Sequence, residues 1–314
     1  MSSHFDGKYY FNENQKARSF KDFLYWMLTR QPTPWPAFIP VEQQKVKHTR
    51  VGDQELSVTF IGHSTFLIQI NGCNLLTDPV WSQRASPLKF LGPKRVRAPG
   101  VKFEDLPPVD MVLLSHNHYD HLDLPTLKKL EKIHHPVFYV SKGNASFLEK
   151  EGLTHVEELD WWDFRLFGSD FTLYFVPAQH FSARGLFDRN RTLWGGFVIK
   201  NNQHMVYFAG DTGLNPYFKQ IRERLGAPTL SLLPIGAFEP RWFMKSVHMN
   251  PADAVQAHLI LESRQSIGMH FGTFQLTDEG IDVPLEHLQQ ALQNEKISKE
   301  KFQVMKPGES KQFF

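Results

Sequence analysis

The chain has 314 residues, of which 41% are hydrophobic and 22% charged, a composition that excludes a disordered or collagen-like protein. Thirty-five Lys and Arg against 33 Asp and Glu leave a formal net charge of +2, so no strong overall field attracts the chain to nucleic acid. The single cysteine, Cys73, excludes an internal disulfide and a zinc site built from four cysteines. The 15 histidines and 27 phenylalanines indicate metal or acid–base chemistry and an aromatic-rich core or apolar surface.

The first nineteen residues are polar and lack the apolar stretch of a secretory signal peptide. No window offers the roughly 20 uninterrupted apolar residues that a membrane span needs. We therefore expect a cytoplasmic protein that is either dissolved or attached to a membrane surface without crossing it.

Residues 1–50 form a predicted N-terminal segment ahead of a main domain over residues 51–314. Apolar residues recur at helical spacing, with Ser19 and Asp22 as a capping box; they are Phe20, Phe23, Leu24, Met27 and Leu28. This segment either packs on the core or faces a membrane, because tryptophan and tyrosine favour the headgroup boundary. The candidate lipid contacts are Phe20, Leu24, Trp26 and Trp35.

The rest of the chain alternates strand-rich stretches with helices. Short apolar runs predict strands over 56–61, 65–70, 74–77, 111–114, 137–140, 171–176, 193–199, 205–209, 230–233 and 266–269. Helices are predicted after Asp123 and from Asn250 through about Leu261. This order favours an α/β protein, a four-layer αββα sandwich in which helices cover two β layers.

A dense cluster of polar side chains directly follows the predicted strand 111–114. It contains His116, His118, Asp120 and His121. Histidines at i and i+2 do not share a helix face, so the cluster needs a turned loop to converge. Three further candidates each lie just past an apolar run, where functional side chains collect; they are His180, Asp211 and His270. A solvated histidine-rich loop is the alternative for the cluster, and an ordinary structural role is the alternative for each later residue.

His-x-His-x-Asp-His, a later lone His, a Gly-Asp-Thr and a final His are similar to the dinuclear-zinc pattern of the metallo-β-lactamase superfamily. Thr77-Asp78-Pro79, Leu159–Trp162 and Pro234–Lys245 narrow the resemblance to the N-acyl-phosphatidylethanolamine-hydrolysing phospholipase D family. The resemblance implies two mixed β-sheets flanked by helices. It also implies two Zn²⁺ per chain, with iron or manganese as alternatives: one ion on His116, His118 and His180, the other on Asp120, His121 and His270, and Asp211 as bridge.

The activity that this resemblance implies is hydrolysis of N-acyl-phosphatidylethanolamine to an N-acylethanolamine and phosphatidic acid by a metal-bridging hydroxide. Asp120 and His248 are the candidate catalytic residues, although His248 could instead support the start of the following helix. A lactonase or other small-ester hydrolase with the same ligands is the alternative enzyme, and a non-catalytic binding module is the alternative outside enzymes. The expected partners are a phospholipid substrate, a membrane surface and, by resemblance, a second copy of the chain.

Five further residues are candidates for supporting roles. His63 and Asp78 are expected to orient ligands by hydrogen bonds, with Tyr119 beside them in the cluster. Lys94 and Arg95 could meet a phosphate group, although a solvated basic loop is the alternative. Each of these residues could equally be structural.

Overall fold

The computed structural model describes residues 4–13, 19–167 and 171–313. The strands in chain order are β1 (Leu56–Gly62), β2 (Thr65–Ile70), β3 (Cys73–Thr77), β4 (Met111–Leu114), β5 (Val137–Ser141), β6 (Val156–Leu159), β7 (Phe164–Phe167), β8 (Phe171–Pro177), β9 (Gly195–Lys200), β10 (Met205–Phe208), β11 (Leu230–Pro234), β12 (Gln265–Met269), β13 (Phe302–Gln303) and β14 (Ser310–Phe313). The helices are α1 (Phe20–Thr29), α2 (Leu124–His134), α3 (Ala145–Lys150), α4 (Tyr217–Leu225), α5 (Arg241–Met244), α6 (Pro251–Leu261) and α7 (Val283–Asn294), with a 3₁₀ turn over Phe103–Asp105.

The strands form two seven-stranded sheets. The first has the order β14-β1-β2-β3-β4-β5-β6 and the second the order β13-β12-β11-β10-β9-β8-β7. Both sheets are mixed, because β3 to β6 run parallel beside the antiparallel β1 and β2, and β10 to β13 run parallel beside antiparallel β7 to β9. The predicted four-layer α/β sandwich is confirmed.

Alternating side chains show how the layers are held together. On β4, Met111 and Leu113 belong to the large core between the sheets, whereas Val112 and Leu114 belong to a second core on the outer face. Leu127 of α2 and Leu148 of α3 complete that outer core. Both faces of this sheet are therefore buried, which explains why its parallel strands read as continuous apolar runs.

Two helix starts, those of α1 and α6, follow local sequence rules. Ser19 caps α1 and Asn250 caps α6, each in a reciprocal capping box with the acid three residues on. Pro251 occupies the first turn of α6, where its missing N–H costs no hydrogen bond. Among the residues that the structure describes, no helix combines the length and the apolar character needed to cross a bilayer.

The sequence pattern did not predict the elements α3, α4, α5, α7, β6, β7, β13 and β14. Phe164 on β7 is 51% exposed and Leu166 is 67% exposed, so the apolar side chains of this short edge strand lie outside the core. Antiparallel pairing with β8, in which Phe167 lies opposite Phe171, stabilises it instead.

Candidate metal centre

The candidate ligands lie where strands end. The loop over residues 116–121, called the ligand loop below, follows β4 after Ser115, and His270 follows β12 directly. Asp211 follows β10 after a glycine with a positive φ of 60°. A Cβ on Gly210 would lie 2.7 Å from the carbonyl oxygen of Gly195, so glycine is required for this approach of the two strands.

All seven candidate ligands come together in two groups. The ligand atoms within each group lie within 4.8 Å of one another. One group consists of His116, His118, His180 and Asp211, and the other contains Asp120, His121 and His270 together with His63. All are buried except His118, which is partly exposed. The predicted clustering of these side chains therefore agrees with their positions in the fold.

Asp211 lies between the two groups. Its Oδ2 is 3.1 Å from Nε2 of both His121 and His270. The same oxygen is 3.9 Å from Nε2 of His116 and 3.8 Å from Nε2 of His180. A single carboxylate oxygen thus faces imidazole nitrogens of both groups.

Asp78 orients one histidine of each group. Nδ1 of His121 donates to Oδ2 of Asp78 at 2.6 Å. The Ser115 hydroxyl donates to the same oxygen at 2.6 Å and accepts from Nδ1 of His116 at 2.9 Å. Because Nδ1 makes these hydrogen bonds in both rings, Nε2 is the nitrogen that each ring turns toward the centre. Asp78 therefore contacts one candidate ligand directly and another through Ser115, an intermediary that the sequence did not reveal, and its orienting role stays a prediction.

Burial and charge decide the protonation states. Burial lowers the pKa of His180 to about 3 and that of His116 well below its usual value, so both rings are neutral, the form that binds metal. Burial opposes ionisation of Asp211, yet the charges and hydrogen bonds of His121 and His270 hold the pKa of this carboxyl well below its usual range. Burial also opposes the charge on His270, but the neighbouring carboxylates raise its pKa to about 9. In the metal-free protein, protonated imidazoles therefore compensate the buried carboxylates.

The donor set fits a metal ion. Oδ1 of Asp211 and Nδ1 of His248 are buried polar atoms without a hydrogen-bond partner, which is costly unless another group satisfies them. Imidazole nitrogens and carboxylate oxygens without a thiolate suit zinc and related divalent ions. The two groups of residues could therefore each hold a metal ion.

Two further histidines contact the ligands. His63 donates from Nε2 to Oδ2 of Asp120 at 3.0 Å, a contact through which it would orient this candidate ligand. Nδ1 of His248 lies 4.0 Å from Oδ2 of Asp211, and its ring packs 5.0 Å from that of His180 and 5.4 Å from that of His270. His248 thus faces the centre rather than the start of α6.

The two basic candidates, Lys94 and Arg95, do not contact the candidate ligands. Arg95 is buried and donates to the carbonyl oxygens of Val80 and Ser82, so its guanidinium holds the loop after β3. Lys94 is exposed and pairs with Arg84 through a backbone bridge. The structure brings neither to the ligands, and their contact with phosphate stays a prediction.

The N-terminal segment departs from the expected membrane contacts. Trp26 is only 6% exposed, stacks on Phe243 at 5.1 Å and donates from Nε1 to Asp278, so its predicted lipid contact is wrong. Trp35 is partly buried and donates to the carbonyl oxygen of Glu279. Leu24 remains 44% exposed. The side chain of Phe20 lies outside the described residues.

We predict that the metal centre depends on Asp211. Asp211→Ala removes the carboxylate that both groups share and should lower both the bound metal, measured by elemental analysis, and turnover. The exposed Asp163 provides a matched control, because Asp163→Ala removes a carboxylate between the edge strands β6 and β7, whereas the candidate ligands follow β4, β8, β10 and β12. Full metal content and activity in Asp211→Ala would contradict a shared carboxylate.

Comparison with known proteins supports this description. A family model described as a beta-lactamase superfamily domain matches residues 73–271, well over half of the chain. The solved structure of Igni18, a metallo hydrolase from Ignicoccus hospitalis, superposes with a TM-score of 0.63 over 83% of this chain and 99% of that one, at 24% identity. This likeness shows that the two proteins share a fold.

Two relatives carry names that specify an activity. The Caenorhabditis elegans N-acyl-phosphatidylethanolamine-hydrolyzing phospholipase D 1 is 42% identical over 70% of this chain and 64% of its own length. The mitochondrial enzyme of the same description from Saccharomyces cerevisiae is 37% identical over 74% of this chain and 50% of its own length. The present chain thus spans less than two thirds of either relative. Taken together, the family match, the shared fold and the clustered histidines and aspartates show that the chain belongs to the beta-lactamase superfamily of metal-dependent hydrolases and resembles its N-acyl-phosphatidylethanolamine-hydrolysing phospholipases D.

Proposed function

We propose that the chain is a zinc-dependent phosphodiesterase that hydrolyses N-acyl-phosphatidylethanolamine to an N-acylethanolamine and phosphatidic acid. The observation that carries the proposal is the position of Asp211 Oδ2, which faces imidazole nitrogens of both ligand groups at 3.1–3.9 Å. The named activities of the worm and yeast relatives support the choice of substrate.

In this proposal, His116, His118 and His180 hold one Zn²⁺, Asp120, His121 and His270 hold a second, and Asp211 contacts both. Two such ions supply Lewis acidity toward phosphoryl oxygens and lower the pKa of water. The protein keeps the ligands oriented: Asp78 fixes His121 and, through Ser115, His116. His180 is held by donating from Nδ1 to the carbonyl oxygen of Val247 at 2.9 Å.

His248 is the candidate catalytic residue beside the departing oxygen; burial lowers the pKa of its imidazole to about 3, so the neutral ring would relay a proton from water rather than hold one in advance. A leaving alkoxide needs a proton, and a positioned histidine typically contributes about 10²–10⁴-fold by supplying it. Arg241 fixes this part of the chain, because it donates to the carbonyl oxygen of His248 at 3.0 Å and pairs with Asp253 at 2.5 Å. The backbone N–H of His248 also donates to the Met244 carbonyl oxygen at 2.9 Å.

An exposed apolar surface near His248 supports a lipid substrate. On α1, Leu28 is 85% exposed, Tyr25 61% and Leu24 44%. Tyr25 packs edge-on against Trp242 at 5.6 Å, and Trp242 is itself 42% exposed. Contiguous exposed apolar side chains of this kind are typical of membrane or protein contacts. We propose that this surface lies on the bilayer from which the phospholipid is drawn.

The buried side of α1 connects that surface to the centre. Trp26 packs with Met244 and Val247 in one cluster, and His248 directly follows Val247. Arg30 reinforces the contact through an ion pair with Asp278 at 3.0 Å. The helix therefore has one face toward solvent and one toward the chain segment that carries His248.

The proposal is tested by comparing substrates with purified, zinc-loaded protein. N-acyl-phosphatidylethanolamine should be turned over faster than a generic phosphodiester, a lactone or a β-lactam, with phosphatidic acid and N-acylethanolamine as products. Preference for the lactone would instead favour the small-ester hydrolase.

Removing the His248 imidazole should slow the reaction without loss of bound metal. We expect His248→Ala to retain the wild-type metal content and to lose about 10²–10⁴-fold in turnover. His155→Ala, which removes an exposed histidine, serves as the control. A loss below about threefold would return His248 to a structural role.

Substitutions on the two faces of α1 should separate lipid binding from chemistry. Leu24→Ser with Leu28→Ser should weaken binding to liposomes and lipid turnover while sparing a soluble phosphodiester. Trp26→Ser should reduce turnover of both substrates, because Trp26 packs on the segment that carries His248.

The matched control for the outer face replaces exposed apolar side chains elsewhere. Ile133 is 54% exposed on α2 and Leu166 is 67% exposed on β7. Ile133→Ser with Leu166→Ser should leave liposome binding unchanged. Equal loss of lipid and soluble turnover in the Leu24/Leu28 variant would argue against a membrane-facing surface.

A further inference from the structure

Arg184 joins the two loops that carry most of the ligands. It lies four residues after the ligand His180, and its Nη1 donates to the carbonyl oxygens of Asn117 and Leu122, both at 2.9 Å. Asn117 is the second residue of the ligand loop, and Leu122 directly follows its last ligand, His121. One guanidinium therefore connects both ends of the ligand loop to the loop of His180.

Tyr119, in the middle of the ligand loop, completes this connection. Its ring centroid lies 4.0 Å from the guanidinium carbon of Arg184, a stacking distance for a cation on an aromatic face. Its hydroxyl donates to the carbonyl oxygen of Arg184 at 3.0 Å. Tyr119 and Arg184 thus each hold the segment that carries the other. The backbone N–H of Arg184 donates to Oδ1 of Asp188 at 3.0 Å, which fixes the backbone at the arginine.

We infer that Arg184 is a positioning residue of the metal centre: it sets the spacing between His180 and the ligand loop without touching a metal ion or substrate. Groups that fix the orientation of ligands typically contribute about 10–100-fold to metal affinity. A planar guanidinium that donates to two carbonyls and stacks on a ring suits this role better than a lysine, whose ammonium cannot stack in the same way. The inference holds for any ester that the centre cleaves.

The surroundings of Arg184 indicate that its removal should affect the position of the ligand loop more than the stability of the fold. A cavity of about 880 Å³ lies beside Arg184 and is also lined by Asn117, Tyr119 and Leu122. It is large enough for water to reach the two carbonyl oxygens if the guanidinium is removed. Their desolvation cost would then be relieved, so the main consequence of removing Arg184 should be a loose ligand loop rather than an unfolded protein.

The test measures zinc binding without any substrate. Metal-free protein is titrated with Zn²⁺ against a competing chelator, and thermal midpoints are recorded with and without Zn²⁺. Arg184→Leu should raise the Zn²⁺ dissociation constant about 10–100-fold and lower the midpoint of the zinc-loaded protein more than that of the metal-free protein.

Arg50 offers a matched control. Its guanidinium also donates to a backbone carbonyl, that of Gly72, and it pairs with Asp110 at the opposite end of β4 from the ligand loop. Arg50→Leu should lower both midpoints equally and leave zinc affinity unchanged.

A folded Arg184→Leu variant whose Zn²⁺ affinity stays within about twofold of the wild type would overturn the inference. If that variant does not fold, Arg184→Lys decides the question. It keeps the charge but loses the stacking, and should raise the dissociation constant about threefold or more. Unchanged affinity in Arg184→Lys would equally overturn the inference. Because no substrate is present, the result does not depend on whether the protein hydrolyses a phospholipid.

Discussion

The burial of two carboxylates among imidazoles is the constraint around which this protein is organised. Asp120 and Asp211 lie out of solvent, and ionised carboxylates in such a place are costly unless positive charge compensates them. In the metal-free protein that charge resides on His121 and His270, whose pKa values are raised by the neighbouring carboxylates against the effect of burial. Metal ions would take over this compensation and displace the protons, which couples metal loading to pH.

The sandwich supplies the rigidity that such a centre needs. His63, Asp78 and His270 have positive φ values of 56°, 33° and 61°, a region that costs non-glycine residues about 1–3 kcal/mol each and persists only where the surroundings impose it. The backbone N–H of His270 donates to the carbonyl oxygen of His63 at 2.8 Å, so two of these residues from different sheets fix one another. The ligand loop is then held at His121, which donates to Asp78, and at Asn117, whose carbonyl oxygen accepts from Arg184.

The sequence pointed to the candidate ligands more clearly than to the residues that support them. His180, Asp211 and His270 could be found because each follows an apolar run, and strand ends are visible in a local pattern. Ser115 and Arg184 could not, because their roles depend on which loops meet in space. Trp26 shows most clearly what a periodic pattern cannot predict. The apolar stripe of α1 indicated which residues share a face, but Leu28 on that stripe is 85% exposed, whereas Trp26 beside it is buried against α5. Periodicity identifies a face and does not identify what covers it.

The most direct test of the whole account is the fate of water oxygen during hydrolysis of N-acyl-phosphatidylethanolamine. The reaction is run in ¹⁸O-labelled water with zinc-loaded protein, and the products are analysed by mass spectrometry. If water attacks phosphorus and the bond from phosphorus to the ethanolamine oxygen breaks, the phosphatidic acid gains one labelled oxygen and the N-acylethanolamine gains none. Label in a released fatty acid or in the N-acylethanolamine, or the absence of turnover, would contradict the proposed phosphodiesterase.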